Sequence, residues 1–252
     1  MKINKPVAGL LALSVSAMVH GGAMGPIVTE GDKNIIILSG GATWPTGVNG
    51  AHSLYFSPEL SRTYTLDKAT TALGEGTLFV GRQHSFNSRV EGQLGILFAA
   101  ASRLKISGSI WDFDDLRFNN YRYSYTVQPN RIAIGGKLLE TTNSLYKPWV
   151  NASIGVSVNR ATNYQVIPTE CEAIVLPQSN LSSHSTTSFS YSIGAGIQRI
   201  VTPNVQVGLG YEFTDWGKNQ LAAAPAQPAN QKGLMLNHFY TNGLLLNVTW
   251  LR

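Results

Sequence analysis

The chain has 252 residues, of which 13% are charged and 43% hydrophobic. Soluble domains carry about 25% charged residues, so a shortage of charge without an excess of apolar residues points to a surface that largely does not face water. The formal net charge is +5. Two of those five charges lie in the leader, and the remaining +3 is too weak a balance to support nucleic-acid binding.

Residues 1–23 read as a secretory signal peptide. Lys2 and Lys5 supply the positive start, Pro6 to Val19 the apolar stretch, and His20, Gly21, Gly22 and Ala23 the small-residue exit, with cleavage expected after Ala23. The apolar stretch is shorter than the roughly 20 residues a membrane-spanning helix needs. No cysteine follows it, which argues against a lipid anchor. Residues 24–252 are then one domain.

That domain is written in period two. Asn34–Trp44 is the expected first strand and Thr77–His84 the second, with the weakest alternation. Val90–Ile110 is the third, with Leu94, Ile96 and Phe98 against Glu91, Gln93 and Gly95. Tyr121–Leu138 is the fourth. Its apolar residues shift phase near Pro129-Asn130, from Tyr121, Tyr123 and Tyr125 to Ile132, Ile134 and Leu138, which predicts a bulge there. Val150–Val158, Phe189–Arg199 and Val205–Phe213 alternate strictly, and a stretch ending Leu244, Leu246, Val248, Trp250 is the last. The count is eight strands.

The gaps alternate in length. Pro45–Gly76, Asp112–Asn120, Ile167–Thr187 and Gly217–Gly233 are long; those near Ser85–Arg89, Thr141–Lys147 and Thr202–Asn204 are short. The fourth long gap carries AAAPAQPAN, a low-complexity stretch expected to be flexible. The polar face of the strands is Ser, Gly, Asn, Gln and Thr rather than the Lys, Glu, Asp and Arg of a water-facing surface. The expected fold is therefore an all-β, eight-stranded antiparallel up-and-down transmembrane β-barrel, with short periplasmic turns and longer extracellular loops. Aromatics collect at strand ends: Trp44, Tyr121, Tyr123, Phe189, Tyr191, Tyr211, Phe213 and Trp216 toward the long loops, Trp250 at the opposite end. They are expected to form the girdles at the two membrane interfaces.

Segments such as RIAIGGKL, SYSIGAGIQ, VQVGLGYEF and the closing NHFYTNGLLLNVTW resemble the opacity-protein-like outer-membrane β-barrel family. The resemblance covers nearly the whole mature chain and implies architecture rather than an activity. It also implies an outer-membrane location, lipid and lipopolysaccharide neighbours, and handling by the barrel-assembly machinery. Such barrels usually end on an aromatic residue. Here Trp250 is followed by Leu251 and Arg252, so the assembly signal is expected two residues further in.

An eight-stranded barrel is just wide enough for its own side chains. Glu91, Arg103, Arg131, Lys137 and Glu212 fall on the lumen phase and carry both signs. They are expected to form a cross-lumen ion-pair network that plugs the barrel, because buried charges are tolerable only when paired. The leading function is structural, or surface interaction through the extracellular loops with a host or envelope partner. The first loop brings Tyr55, Phe56, Tyr64 and Leu66. The cluster Trp111 to Asp115 lacks the spacing of a calcium loop and reads as a solvated tip.

Two other readings stand beside it. Leu97, Leu245 and Leu251 on the lumen phase would suit a narrow channel for small apolar molecules. His238, on the lipid-facing phase of the last strand, would suit a lipid-modifying hydrolase, but Tyr240 rather than a serine follows on the same face. His184 in SSHSTTS reads as a solvated loop residue, and Cys171 as a loop cysteine that cannot form an intrachain disulfide. The expectation is no enzyme activity, no cofactor, no metal and no nucleic acid.

Overall fold

The computed structural model describes residues 32–48, 50–57, 60–112, 115, 119, 121–141, 145–169, 180–225, 227 and 232–252. The leader, Cys171 and most of the second long loop lie outside them.

Eight strands close on themselves: β1 (Lys33–Thr46), β4 (Leu73–Ser85), β5 (Val90–Ala101), β7 (Tyr121–Glu140), β8 (Tyr146–Pro168), β9 (His184–Thr202), β10 (Val205–Asp215) and β13 (Tyr240–Leu251). Each pairs antiparallel with its neighbours in that order, and β1 meets β13 from Ile35 opposite Leu251 to Thr46 opposite Tyr240. Closure leaves no open edge in the wall, the condition for crossing hydrocarbon with strands. No described helix is long and apolar enough to cross a membrane.

Tight turns join the strands at one end. Pro203-Asn204 links β9 to β10, with the proline ring holding φ near the value a turn requires. Asn87 shapes the β4–β5 turn, its Oδ1 accepting from the Arg89 and Val90 amides at 2.8 Å each.

At the other end the wall continues upward on one side. β2 (Gly50–Ser57) pairs with β3 (Leu60–Leu66), β3 with β6 (Leu104–Asp112), and β6 with the upper half of β7. The upper β7 in turn pairs with the upper β8, where a register shift opposite Ser124/Thr126 coincides with Asn163 at φ 57°. The gap expected as the loop Pro45–Gly76 is thus largely strand. The third strand is broken at Ser102–Arg103 into β5 and β6, and the second starts at Leu73 rather than Thr77.

The bulge expected at Pro129-Asn130 is absent. β7 keeps strict alternation throughout, with every odd residue from Tyr121 to Leu139 turned inward. What changes near Pro129 is the surroundings. In the lower half the outward residues Ile132, Ile134 and Leu138 are apolar and the inward ones include Arg131 and Lys137. In the upper half the inward residues are Tyr121, Tyr123, Tyr125 and Val127, all buried, and the outward ones are Arg122, Ser124, Thr126 and Gln128. One strand passes from an inside-polar wall to an inside-apolar one without altering its geometry.

Candidate functional site: a filled bore, a capped mouth and an apolar belt

The outer face of the closed wall is apolar on every strand. Leu94, Ile134, Ile154 and Leu246 are each more than 60% exposed, as is Phe189 at the upper rim. Burying such area is worth about 25 cal/mol per Å², so a contiguous belt of it is a surface for lipid rather than water. The belt is uneven. It runs from Val150 to Val158 on β8 and from Val205 to Phe213 on β10, but only from Ile132 to Leu138 on β7 and from Leu94 to Ala100 on β5. At about 3.3 Å per residue that is roughly 26 Å of strand on one side and roughly 20 Å on the other.

Inside, the buried charges Glu75, Glu91, Glu212, Arg131, Lys137 and Lys147 balance in sign. Near the tight-turn end, Lys147 Nζ lies 3.0 Å from both carboxylate oxygens of Glu91. Higher up, Arg131 on β7 crosses the bore. Its Nη2 donates to Glu212 Oε1 on β10 and to Ser192 Oγ on β9, both at 3.0 Å. Asn151 Nδ2 donates to the other Glu212 oxygen at 3.3 Å. Lys137 has a neutral partner, Gln198 Oε1 at 2.6 Å, and sits 4.5 Å above the Trp149 ring. Trp149 lies against the backbone of Gly196 and Gly210, where any Cβ would overlap its six-membered ring.

Of the residues expected in the lumen network, Glu91, Arg131, Lys137 and Glu212 face the bore. Arg103 does not. It stands outside at the β5–β6 break, exposed, with its Nε 3.3 Å from Gln128 Oε1. Lys147 and Glu75, which the alternation of the sequence places in connecting segments, are lumen charges as well. Leu97, Leu245 and Leu251 are buried on the inner face. With Ile37, Phe79 and Lys137, Leu97 and Leu245 border a mid-bore cavity of about 60 Å³.

The mouth is capped by the fourth connection. Trp216 is fully buried, donates from Nε1 to Thr241 Oγ1 at 2.9 Å, and lies 5.5 Å from the Arg131 guanidinium. Asn159 Nδ2 on β8 donates to the carbonyls of Trp216 and Lys218 at 2.7 and 2.8 Å. A short ladder of β11 (Asn219–Gln220) and β12 (Met235–Leu236) follows. Leu221, Ala224, Leu234, Leu236 and Phe239 are buried beside Leu181. The described part of AAAPAQPAN, expected to be flexible, is therefore tied down: Ala224 and Gln227 are buried and bonded to each other through both backbone and side chain.

The aromatic residues divide. Trp44, Phe189, Tyr211 and Trp250 are exposed on the outer face. Phe189, Tyr191, Phe213 and Tyr240 form a ring-to-ring chain with centroid spacings of 6.3, 6.2 and 5.5 Å. Tyr121, Tyr123 and Trp216 are corrections to the expected girdle. All three are buried inside, because above the belt water lies outside and the apolar residues turn in. Tyr123 there packs on Tyr64 at 5.3 Å and on Tyr125 at 6.4 Å, and donates from its hydroxyl to the Thr65 carbonyl. Burial pushes the phenols of Tyr64, Tyr123, Tyr125 and Tyr164 up from their ordinary range. Asp112, expected at a solvated tip, is buried in a 2.7 Å pair with Arg62.

His238 lies just before β13, more than half exposed, and its Nδ1 is 2.8 Å from the buried Asp215 carboxylate. Its ring stacks on Tyr240 at 5.3 Å. Asp215 also accepts the Gly217 amide. His184, expected in a loop, is the exposed first residue of β9, opposite Ala161. Among the described residues no group of His, Cys, Asp and Glu could hold a metal.

A closed wall with a charge-balanced bore and a continuous apolar exterior decides the class. It is a membrane-spanning β-barrel. Even-stranded single-chain barrels with tight turns at one end and long connections at the other belong to the bacterial outer membrane, and this chain is located there.

No family model matches the chain, and no curated protein does. Several solved structures are similar. Neisserial surface protein A is 13% identical, with 88% of this chain and 99% of that one covered, at a TM-score of 0.41. The outer membrane protein OprG from Pseudomonas aeruginosa is 12% identical, with 86% and 96% covered, at 0.45. Ail, the attachment invasion locus protein of Yersinia pestis, is 12% identical, with 88% and 99% covered, at 0.39.

Proposed function

We propose that the chain is a surface-displayed barrel of the opacity-protein type. The closed wall anchors it, and the strand extension above the belt is its contact surface for a host or envelope partner. The observation that carries this reading is the continuation of β2, β3, β6 and the upper β7 and β8 as one ordered sheet beyond the apolar belt of the closed wall. Loops can reach a partner, but a sheet with a packed inner face presents fixed side chains to it. Outer-membrane lipid and lipopolysaccharide surround the belt, and the barrel-assembly machinery inserts it.

The filled bore argues against a pore. Its cavity of about 60 Å³ is well below the roughly 300 Å³ at which small-molecule sites begin, which also weighs against passage of apolar molecules. Catalysis is not part of the reading. His238 has an orienting carboxylate, but its neighbour on the same face is the Tyr240 phenol rather than an activated hydroxyl or thiol.

The test has two readings. Tyr55→Cys in a Cys171→Ser background is labelled on intact cells with a membrane-impermeant maleimide, since Tyr55 is exposed on β2. Cells displaying the chain are also compared, in adhesion to epithelial and to sister cells, with cells displaying a chain that lacks residues 50–66. Labelling together with lost adhesion supports the proposal. Equal adhesion by the two, with the shortened chain still heat-modifiable on gels, removes it.

A further inference from the structure

The outward face of the wall carries a row of cations over two successive rungs, on one side. The register fixes the height. Phe98 lies opposite Ile132, and Ile132 opposite Val156, the last fully apolar rung on this sector. The next rung holds Ala100, Asn130 and Val158. Directly above, Gln128 lies opposite Arg160 on β8, and Arg103 donates to Gln128 from the β5–β6 side. Lys105 follows, opposite Thr126.

Arg103, Lys105 and Arg160 are exposed, and none makes a salt bridge to a carboxylate among the described residues. The carboxylate placed beside this sector, Asp67, is taken by Arg122 and by Ser107, whose hydroxyl donates at 3.1 Å. Lys105 and Arg122, with the Ser107 and Ser124 hydroxyls and Ile167, border a shallow depression of about 390 Å³.

We infer that Arg103, Lys105 and Arg160 form a docking site for the phosphorylated headgroups of outer-leaflet glycolipid. The position selects this ligand. The cations stand where headgroups begin, directly above residues that contact acyl chains, so one lipid can lay its chains on Phe98, Ile132 and Val158 and its phosphates on the row. Three outward cations without paired acids form a positive patch, and a phosphorylated leaflet is its complement. The inference rests on the reading that the extension is extracellular.

The experiment uses the full mature chain in phosphatidylcholine nanodiscs containing diphosphorylated lipid A, free of divalent cations. Lipid retained on the protein is counted by native mass spectrometry. The wild-type chain is expected to hold lipid A in preference to its dephosphorylated form and to release it as salt is raised. R103Q/K105Q/R160Q is expected to weaken retention by about 100-fold, roughly fivefold per cation. R82Q/R199Q, at the tight-turn rim, is expected to retain it. Inorganic phosphate is expected to displace little, because it brings no acyl chains.

Equal retention of dephosphorylated lipid, equal retention by the triple variant, or insensitivity of the wild type to salt would each overturn the site. The salt series needs no variant and holds even if the substitutions impair folding. Labelling at Tyr55→Cys reports orientation separately. Lipid A lost from a correctly displayed barrel sinks the docking site alone, whereas absent labelling sinks the extracellular reading beneath it.

Discussion

Arg131 and Glu212 face each other across the bore, Nη2 to Oε1 at 3.0 Å, from strands three places apart in the ring. Glu75 is buried in the same wall. Removing the guanidinium leaves buried carboxylates with no cation opposite, so Arg131→Gln is expected to cost about 3–5 kcal/mol. The double variant R131M/E212M should cost less, because the pair is removed whole and only Glu75 is left without the guanidinium. Urea unfolding in bilayers, followed by loss of the heat-modifiable band, measures both. Equal loss in single and double variants would mean that the pair does not hold the bore.

Trp149 occupies space that Gly210 leaves free. Gly210→Ala is expected to destabilise by about 1–3 kcal/mol through overpacking. The closest overlaps are with Cη2 and Cζ2 of the indole six-membered ring. Trp149→Phe removes those atoms, so G210A/W149F should recover part of the loss. Additive effects in the double variant would place the ring elsewhere.

Trp216 stoppers the mouth. Trp216→Ala is expected to lower stability by about 3–5 kcal/mol and to raise single-channel conductance in planar bilayers from near zero. Unchanged conductance would show that the bore below, with Arg131 and Glu212, closes the barrel by itself.

The five tryptophans offer a map of depth. In single-tryptophan variants, Trp44 and Trp250 should be quenched by lipids brominated near the headgroup, being exposed at opposite ends of the belt. Trp149 and Trp216, buried inside, should resist at every bromine depth. Strong quenching of Trp216 would refute the inward cap.

The tyrosines above the belt give a pH signature. Burial raises the folded-state pKa of Tyr64, Tyr123, Tyr125 and Tyr164 above an unfolded value of about 10. Between the two values the folded state holds more protons, so stability is full below pH ~10 and falls as pH rises beyond it. Absorbance at ~295 nm should show exposed tyrosines ionising first and these four only as the extension unfolds. A single titration of all ten tyrosines near pH ~10 would contradict the packed inner face.

The sequence made the ring of eight legible because a strand in lipid has a chemical code of period two, and Val205–Phe213 writes it without exception. The extension was illegible for a related reason. Reading apolar residues as outward holds only where lipid is outside; above the belt it assigned Tyr121 and Tyr123 to the wrong face and made a bulge of an unbroken strand. Lys147 shares the parity of Trp149 and Asn151, so extending the alternation of β8 downward by a few residues would have found it. Glu75 lies before the point where the alternation of β4 becomes visible, so its parity carries no local signal. The capping role of Trp216 depends on a contact with Asn159 at a separation of 57 residues, which local pattern does not encode.

The uneven belt has a mechanical consequence. With strands inclined by about 40°, the β5–β7 wall offers roughly 15 Å of hydrocarbon thickness and the β8–β10 wall roughly 20 Å. A bilayer of uniform depth cannot match both. The barrel must lean, or the leaflet beside β5 and β7 must thin and its chains disorder. Either response makes the two flanks of the barrel unequal hosts for lipid, and gives a neighbouring barrel a mechanical reason, independent of any side-chain contact, to settle against one flank rather than the other.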